Sequence, residues 1–129
     1  MTKEEALYNF FSQFGIKAFR EEAVPSGASK PTFPYITYQT SSGSIGEDIS
    51  IVASRWDQVG NNYSAGRKND EWADEVSRIL GKGGKLIPFD GGALWMKKGT
   101  PFSLSMGDPA DPLIRRKLIT LSIENLTEY

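Results

Sequence analysis

The chain has 129 residues, 39% hydrophobic and 24% charged, which fits one globular domain over residues 1–129 and excludes disordered and membrane-spanning classes. Lys and Arg total 15 against 16 Asp and Glu, so the net charge of −1 gives no overall field to attract nucleic acid or anionic lipid. The chain has no cysteine and no histidine, which excludes disulfides, thiolate metal sites and Ser-His or Cys-His nucleophiles. We therefore expect no enzymatic activity, no metal and no cofactor.

The first predicted element is an amphipathic helix from Thr2 to Phe14. Thr2 and Glu5 have the spacing of a capping box, in which each side chain accepts a hydrogen bond from the other residue's backbone amide. Apolar residues at helical spacing form one stripe: Leu7, Phe10, Phe11 and Phe14. Gly15 then suits the left-handed conformation that ends a helix.

The middle of the chain predicts strands and a Pro-rich loop. A short strand is predicted over residues 16–22, followed by a loop over residues 24–34. Beta-branched and aromatic residues predict a strand over residues 35–40, and alternation of side chains predicts another from Asp48 to Trp56. Turn residues at 41–46 favour an antiparallel hairpin between these two strands.

A second amphipathic helix is predicted from Arg67 to Leu80, after an exposed loop over residues 57–66. Asn69 is the candidate N-cap, and the acidic residues after it suit the positive end of the helix dipole. The apolar face comprises Trp72, Val76, Ile79 and Leu80. The glycines at 81, 83 and 84 end this helix, and because they follow a C-terminus they lack the geometry of a phosphate loop.

The last third predicts a hairpin, an arm and a long strand. Strands over residues 85–89 and 93–98 flank the turn Asp90-Gly91-Gly92. Residues 99–112 contain three prolines and predict a long irregular arm. The strand from Leu113 to Asn125 has an apolar face that indicates a central place in the sheet. The element order predicts an α+β fold, with a mainly antiparallel sheet, two helices packed on one face and long irregular loops.

Two groups of charged residues are candidates for a chemical role. Asp108 and Asp111 are of the type that binds Mg²⁺, but each precedes a proline in a pattern typical of turns, and we expect no metal. In the basic run 115–117, alternation places Arg116 on the opposite face from Ile119. We interpret this run as a solvated strand end or an intersubunit salt bridge, and expect no sequence-specific nucleic-acid binding.

Large side chains in two predicted loops mark a candidate interface. The segment from Trp56 to Arg67 and the arm over residues 99–112 carry aromatic and methionine side chains without a periodic partner, which is typical of contact surfaces. The candidate contact residues are Trp56, Tyr63, Arg67, Phe102 and Met106. Two separate segments supply the two different patches that a ring needs.

The order of these segments is similar to that of a known family. An acidic helix and a Pro-rich loop lead to FPYITY at residues 33–38, and a later stretch reads GGALWMKKGTPF. An Asp/Pro arm then leads into a basic and then apolar strand, DPADPLIRRKLITLSIEN. Over nearly the whole chain, this layout resembles the small tail-terminator, tail-completion and minor capsid proteins of long-tailed bacteriophages and prophages.

The resemblance implies a ring, commonly a hexamer, that caps the tail tube and offers a docking surface for the filled head. It implies no catalytic residues, and its partners are further copies of the chain, the tail-tube protein and the head-completion or connector proteins, with DNA passing through the ring. The polar start carries no secretion signal, so we expect assembly in the host bacterial cytoplasm and a place in the virion tail or neck, without a membrane partner. The alternatives are another neck, connector or minor capsid protein and, from other classes, a small carboxylate-based enzyme or a bacterial binding module.

Overall fold

The computed structural model describes residues 1–26, 30–40, 48–58, 64–107 and 113–126, which form two α-helices and one six-stranded sheet. The helices are α1 (Lys3–Ser12) and α2 (Ser64–Leu80), and a short 3-10 helix covers Glu21–Ala23. The strands are β1 (Ala18–Arg20), β2 (Tyr35–Tyr38), β3 (Asp48–Gln58), β4 (Lys85–Phe89), β5 (Gly92–Gly107) and β6 (Ile114–Asn125). The predicted α+β class is confirmed.

The sheet has the strand order β1-β2-β3-β6-β5-β4, and every neighbouring pair is antiparallel except β1 with β2. Both predicted hairpin pairings, β2 with β3 and β4 with β5, are confirmed. The predicted turn at 41–46 lies outside the described residues. β6 pairs with β3 and β5, which confirms its predicted central place.

Both helices pack on one face of the sheet, where they bury the predicted apolar stripes. The fully buried side chains of this core include Leu7, Phe11, Val76, Leu80, Ile51, Ile119, Leu121 and Ile123. Burial of a large apolar side chain stabilises a fold by about 1.5–3 kcal/mol, so this layer is the main source of stability. We call the opposite side of the sheet the open face, because neither helix covers it.

The start of α1 follows the predicted capping chemistry. Thr2 Oγ1 accepts a hydrogen bond from the Glu5 amide at 3.2 Å, and the Glu5 carboxylate accepts one from the Thr2 amide at 3.3 Å. The helix ends at Ser12, slightly before the predicted end, and Gly15 has the expected positive φ of 81°. The prediction of this element is therefore confirmed apart from its last turn.

The predicted start of the second helix is wrong. α2 already begins at Ser64, so Asn69 is not its N-cap but lies inside the helix, 3% exposed. There its Oδ1 accepts a hydrogen bond from Arg55 Nη1 at 2.8 Å, and this tertiary bond compensates for the weak helix propensity of asparagine. The predicted loop over residues 57–66 is likewise wrong at both ends, because Asp57 belongs to β3 and residues 64–66 to α2; residues 59–63 lie outside the described ranges.

The predicted irregular arm is wrong over residues 99–107, which continue β5 to Gly107. Residues 103–107 pair with residues 115–119 of β6, and the register shifts between Lys98 and Ser103. The irregularity accommodates Pro101, which has no amide hydrogen to donate to a ladder. Gly99 fits there because a Cβ atom would lie 2.7 Å from Thr120 Cγ2. Residues 108–112 lie outside the described residues.

Candidate interaction surface

Four side chains on the open face form one cross-strand row, which we call the open-face row. The register pairs Tyr35 with Trp56, Trp56 with Arg116, and Arg116 with Met106. Directly opposed residues on neighbouring strands have Cβ atoms about 4.5–5.5 Å apart, which brings their side chains within reach of one another. The fold thus brings two predicted contact residues, Trp56 and Met106, to either side of Arg116.

Trp56 is held from two sides. Its Nε1 donates to Thr37 Oγ1 at 2.9 Å, and the guanidinium carbon of Arg116 lies 4.6 Å from the centroid of its ring. Arg116 is in turn oriented by its Nε, which donates to Ser54 Oγ at 2.9 Å. Because a planar cation over an indole face is attracted by the ring quadrupole, the pair forms a preorganised polar and aromatic surface.

The β1 end of the row is covered by other aromatic rings. Tyr35 stacks on Phe33 with the ring centroids 5.3 Å apart and meets Phe19 edge-on at 6.2 Å. Tyr35 is consequently 8% exposed, and its burial raises the pKa of the phenol above its ordinary value of 10.0. This end of the row is therefore a small satellite core.

The β5 end of the row is open to solvent. Leu104 is 50% exposed and Met106 is 39% exposed. They lie two residues apart on β5, opposite Leu118 and Arg116 respectively, so both project from the open face. Exposed apolar side chains beside a polar and aromatic cluster are typical of contact surfaces, in which Trp, Tyr, Met and Arg are enriched.

The other predicted contact residues do not join this surface. Phe102 is partly buried and packs against the core, with Lys98 Nζ 5.9 Å from its ring centroid, so its assignment to an exposed arm is wrong. Arg67 lies on α2 with 75% of its side chain exposed and its Nε 3.8 Å from Glu71. Tyr63 lies outside the described residues. Trp56 is on β3 rather than on a loop, which corrects its predicted location.

Arg116 was not among the predicted contact residues, although the alternation along β6 already placed it away from Ile119. Its neighbour Lys117 in the basic run has partners on the helix side. Lys117 Nζ donates to Asp70 Oδ1 on α2 at 2.8 Å and to Ser105 Oγ on β5 at 3.0 Å. The run is thus divided between the two faces, and Arg116 alone of the three belongs to the open-face row.

A buried polar cluster positions α2 on the sheet. Arg55 Nη1 donates to Asp57 Oδ2 and to Asn69 Oδ1, both at 2.8 Å. All three residues are buried, between 3% and 9% exposed. Satisfied buried polar groups act as a geometric constraint, because any displacement of the helix leaves a charge without a partner.

The described residues contain no group of three or more metal-ligating side chains. Asp108 and Asp111, the two candidate carboxylates, fall outside the described ranges. Over the described residues, neither helix combines the length and the apolar character that a membrane crossing requires. Comparisons with protein-family models, curated proteins and solved structures give no match to this chain.

Proposed function

We propose that this chain is a structural subunit of a long-tailed phage or prophage virion, and specifically a tail terminator. In this role copies of the chain form a ring that caps the tail tube and presents a docking surface to the filled head. The observation that carries the proposal is the open-face row, in which Trp56, Arg116 and Met106 stand together on a sheet face that neither helix covers.

The composition of this surface supports an assembly role. Trp and Arg are the residues most often found at the energetic centre of protein interfaces, and Arg116 is already oriented by Ser54. A side chain that is fixed before association loses less entropy on binding, so a preorganised row favours a specific contact. The sequence resemblance supplies the virion context for that contact.

The division of the molecule into two faces also supports the proposal. Most of the large apolar side chains are buried in one core on the helix side, whereas Leu104 and Met106 are exposed on the open face. A subunit that acts in an assembly needs a surface for its partners, and the open face supplies one because the fold of the single subunit does not bury it. Copies of the chain and the tail tube are the partners that we propose for it.

Negative-stain microscopy of the purified protein tests the proposal, with light scattering to give the mass. We expect homogeneous rings with a central hole, and we expect Arg116→Glu to abolish them while circular dichroism remains unchanged. Arg78→Glu is the matched control, because Arg78 is an arginine of α2 whose side chain is 77% exposed. A compact monomer at every concentration and in the presence of tail tubes would contradict the proposal.

Coexpression with a tail-tube protein from the same gene cluster tests the terminator role itself. A terminator stops tube polymerisation, so we expect tubes of bounded length with one ring at an end. Rings that leave tube length unchanged would instead favour another neck, connector or minor capsid protein. The Arg116→Glu variant should then give tubes as long as those formed without the protein.

A further inference from the structure

Among the described residues, no strand pairs with the outer side of β1 or with the outer side of residues 103–107 of β5, and these two edges lie at the same height across the sheet. β4 pairs only with residues 92–96 of β5, so among the described residues no strand pairs with the outer side of residues 103–107. The opposite edge is β1. The register through β2, β3 and β6 places Ala18, Phe19 and Arg20 level with Ser105, Leu104 and Ser103 respectively.

The free part of β5 is protected in one half and unprotected in the other. Residues 97–102 contain two lysines, a proline and the register irregularity, all of which discourage pairing with another chain. Residues 103–107 read Ser-Leu-Ser-Met-Gly, with neither a charge nor a proline. An uncharged strand edge with exposed apolar side chains is a template for β-strand addition.

We infer that residues 103–105 of one copy pair with β1 of a second copy, so that the sheet continues from subunit to subunit. This inference deepens the proposed function and rests on it, since it names the contact that builds the ring. The strand directions allow this pairing. β1 and β5 run in opposite directions within the sheet, so a second copy in the same orientation as the first places its β1 antiparallel to β5.

The side chains on the open face complement each other in this pairing. With the rows continued without slip, Leu104 lies beside Phe19 of the second copy, a favourable aliphatic and aromatic cross-strand pair. Two positions further along both strands, Met106 lies beside Lys17, whose aliphatic stem covers apolar surface while its amine stays in water. The exposed end of the open-face row is thereby covered.

Charges beside the two edges are also complementary. Lys98 is exposed, and in the single subunit its Nζ donates to Ser77 Oγ on α2 at 3.0 Å. Lys98 pairs with Leu121, which in turn pairs with Ile51, so Lys98 lies at the level of Ile51 on β3. At that level on the β1 side, Ile51 lines a cleft together with Glu21 and Glu22. Continuing the sheet therefore brings the Lys98 amine towards the Glu21 carboxylate of the next copy, whereas Glu22 already pairs with Arg20 of its own subunit. Opposite charges favour a head-to-tail contact over a twofold one.

The equal height of the edges bears on whether this contact builds a ring or a filament. A head-to-tail contact closes into a ring when its operation is a rotation, and it gives an open helix when a translation along the axis is added. Because the two edges lie in the same rows, pairing them shifts the second copy little along the strand direction relative to the first. The sheet geometry thus fits closure, as the proposed function requires.

The absence of cysteine from the chain allows a disulfide test on an otherwise thiol-free background. Met106→Cys combined with Lys17→Cys places two thiols on adjacent strands of neighbouring copies, within the separation that a disulfide spans. After oxidation we expect covalent multimers up to the number of subunits in the ring, whereas each single variant stays monomeric on a denaturing gel. Ser105→Cys alone tests a twofold pairing, which would place Ser105 opposite its own copy.

A charge exchange gives a second measurement that does not depend on oxidation. Lys98→Glu and Glu21→Lys should each weaken ring formation by about tenfold or more, and the double variant should restore it, because only the double variant recreates an opposite pair. Rings without cross-links and without charge rescue would overturn this inference and leave the proposed function standing. Dimers of Ser105→Cys would also overturn it, and the absence of any assembly would overturn both.

Discussion

The guanidinium of Arg116 lies over the indole ring of Trp56, 4.6 Å from the ring centroid, across the β3 and β6 strands. The same side chain donates to Ser54, which is 1% exposed, so Arg116 both covers an aromatic ring and satisfies a buried hydroxyl. The contact joins the two halves of the sheet on the face that lacks helices. It is therefore structural in the single subunit and available for contact in an assembly.

Arg116→Ala should lower the free energy of unfolding by about 1–2 kcal/mol, because it removes a cation–π contact and leaves the Ser54 hydroxyl without its donor. Arg116→Lys should recover only part of this loss, since an ammonium group lacks the planar shape and the Nε donor. Urea unfolding followed by tryptophan fluorescence measures both changes. A fully stable Arg116→Lys variant would show that charge alone accounts for the contact.

Substitutions at Phe102 and Met106 should have different effects, the first on the stability of the monomer and the second on assembly. Phe102→Ser should destabilise the monomer by roughly 2–4 kcal/mol because the ring packs against the core, whereas Met106→Ser should change stability by about 0.5 kcal/mol or less. Met106→Ser should nevertheless weaken ring formation, measured by sedimentation. Leu126→Ser is the control for removing an exposed apolar side chain, because Leu126 is 42% exposed just after β6. Equal stability losses at positions 102 and 106 would contradict this division.

The buried pair of Arg55 and Asp57 should be sensitive to the loss of one partner. Asp57→Ala should cost about 3–5 kcal/mol, because among the described residues the buried guanidinium then keeps Asn69 as its one side-chain partner. The double variant Arg55→Met and Asp57→Val should be more stable than Asp57→Ala, since it removes the unpaired charge. Thermal unfolding followed by circular dichroism compares the three proteins. A double variant less stable than the single one would show that the pair itself stabilises the fold.

Tyr35 should make stability decrease at alkaline pH. Burial raises the pKa of its phenol above 10.0, so the unfolded chain ionises first. The contribution of Tyr35 to the free energy of unfolding is fully present below pH 10 and is lost as the pH rises through the pKa of the folded state. Tyr35→Phe should therefore lose less stability than the natural chain between pH 8 and pH 10.5 in urea titrations.

Short sequence patterns correctly predict the elements that are determined by interactions between residues close in sequence. The spacing of Thr2 and Glu5 fixed the start of α1, and alternating side chains placed Ile119 and Arg116 on opposite faces of β6. The continuation of β5 could not be predicted in this way. Gly99 and Pro101 are breakers in isolation, and only pairing with β6, which is distant in sequence, holds that segment in a strand.

The candidate surface was accessible to prediction only in part. The residue types of Trp56 and Met106 indicate a contact role, but their approach to Arg116 depends on the register of three strands, which sequence alone does not define. Phe102 has the same apolar character as these residues, yet the register irregularity beside it turns its ring towards the core. Asn69 was misassigned because its partner, Arg55, lies on a different element.

The central position of β6 has a consequence for biosynthesis. β6 is the last strand of the described chain, and it alone connects β1, β2 and β3 with β4 and β5 in the sheet. While the chain is still on the ribosome, the two earlier groups of strands have no common partner, and their edges next to β6 are exposed to aggregation. The sheet becomes continuous only after residue 125 has emerged from the exit tunnel. A nascent chain interrupted before β6 is therefore a substrate for chaperones and proteases rather than a partly functional subunit.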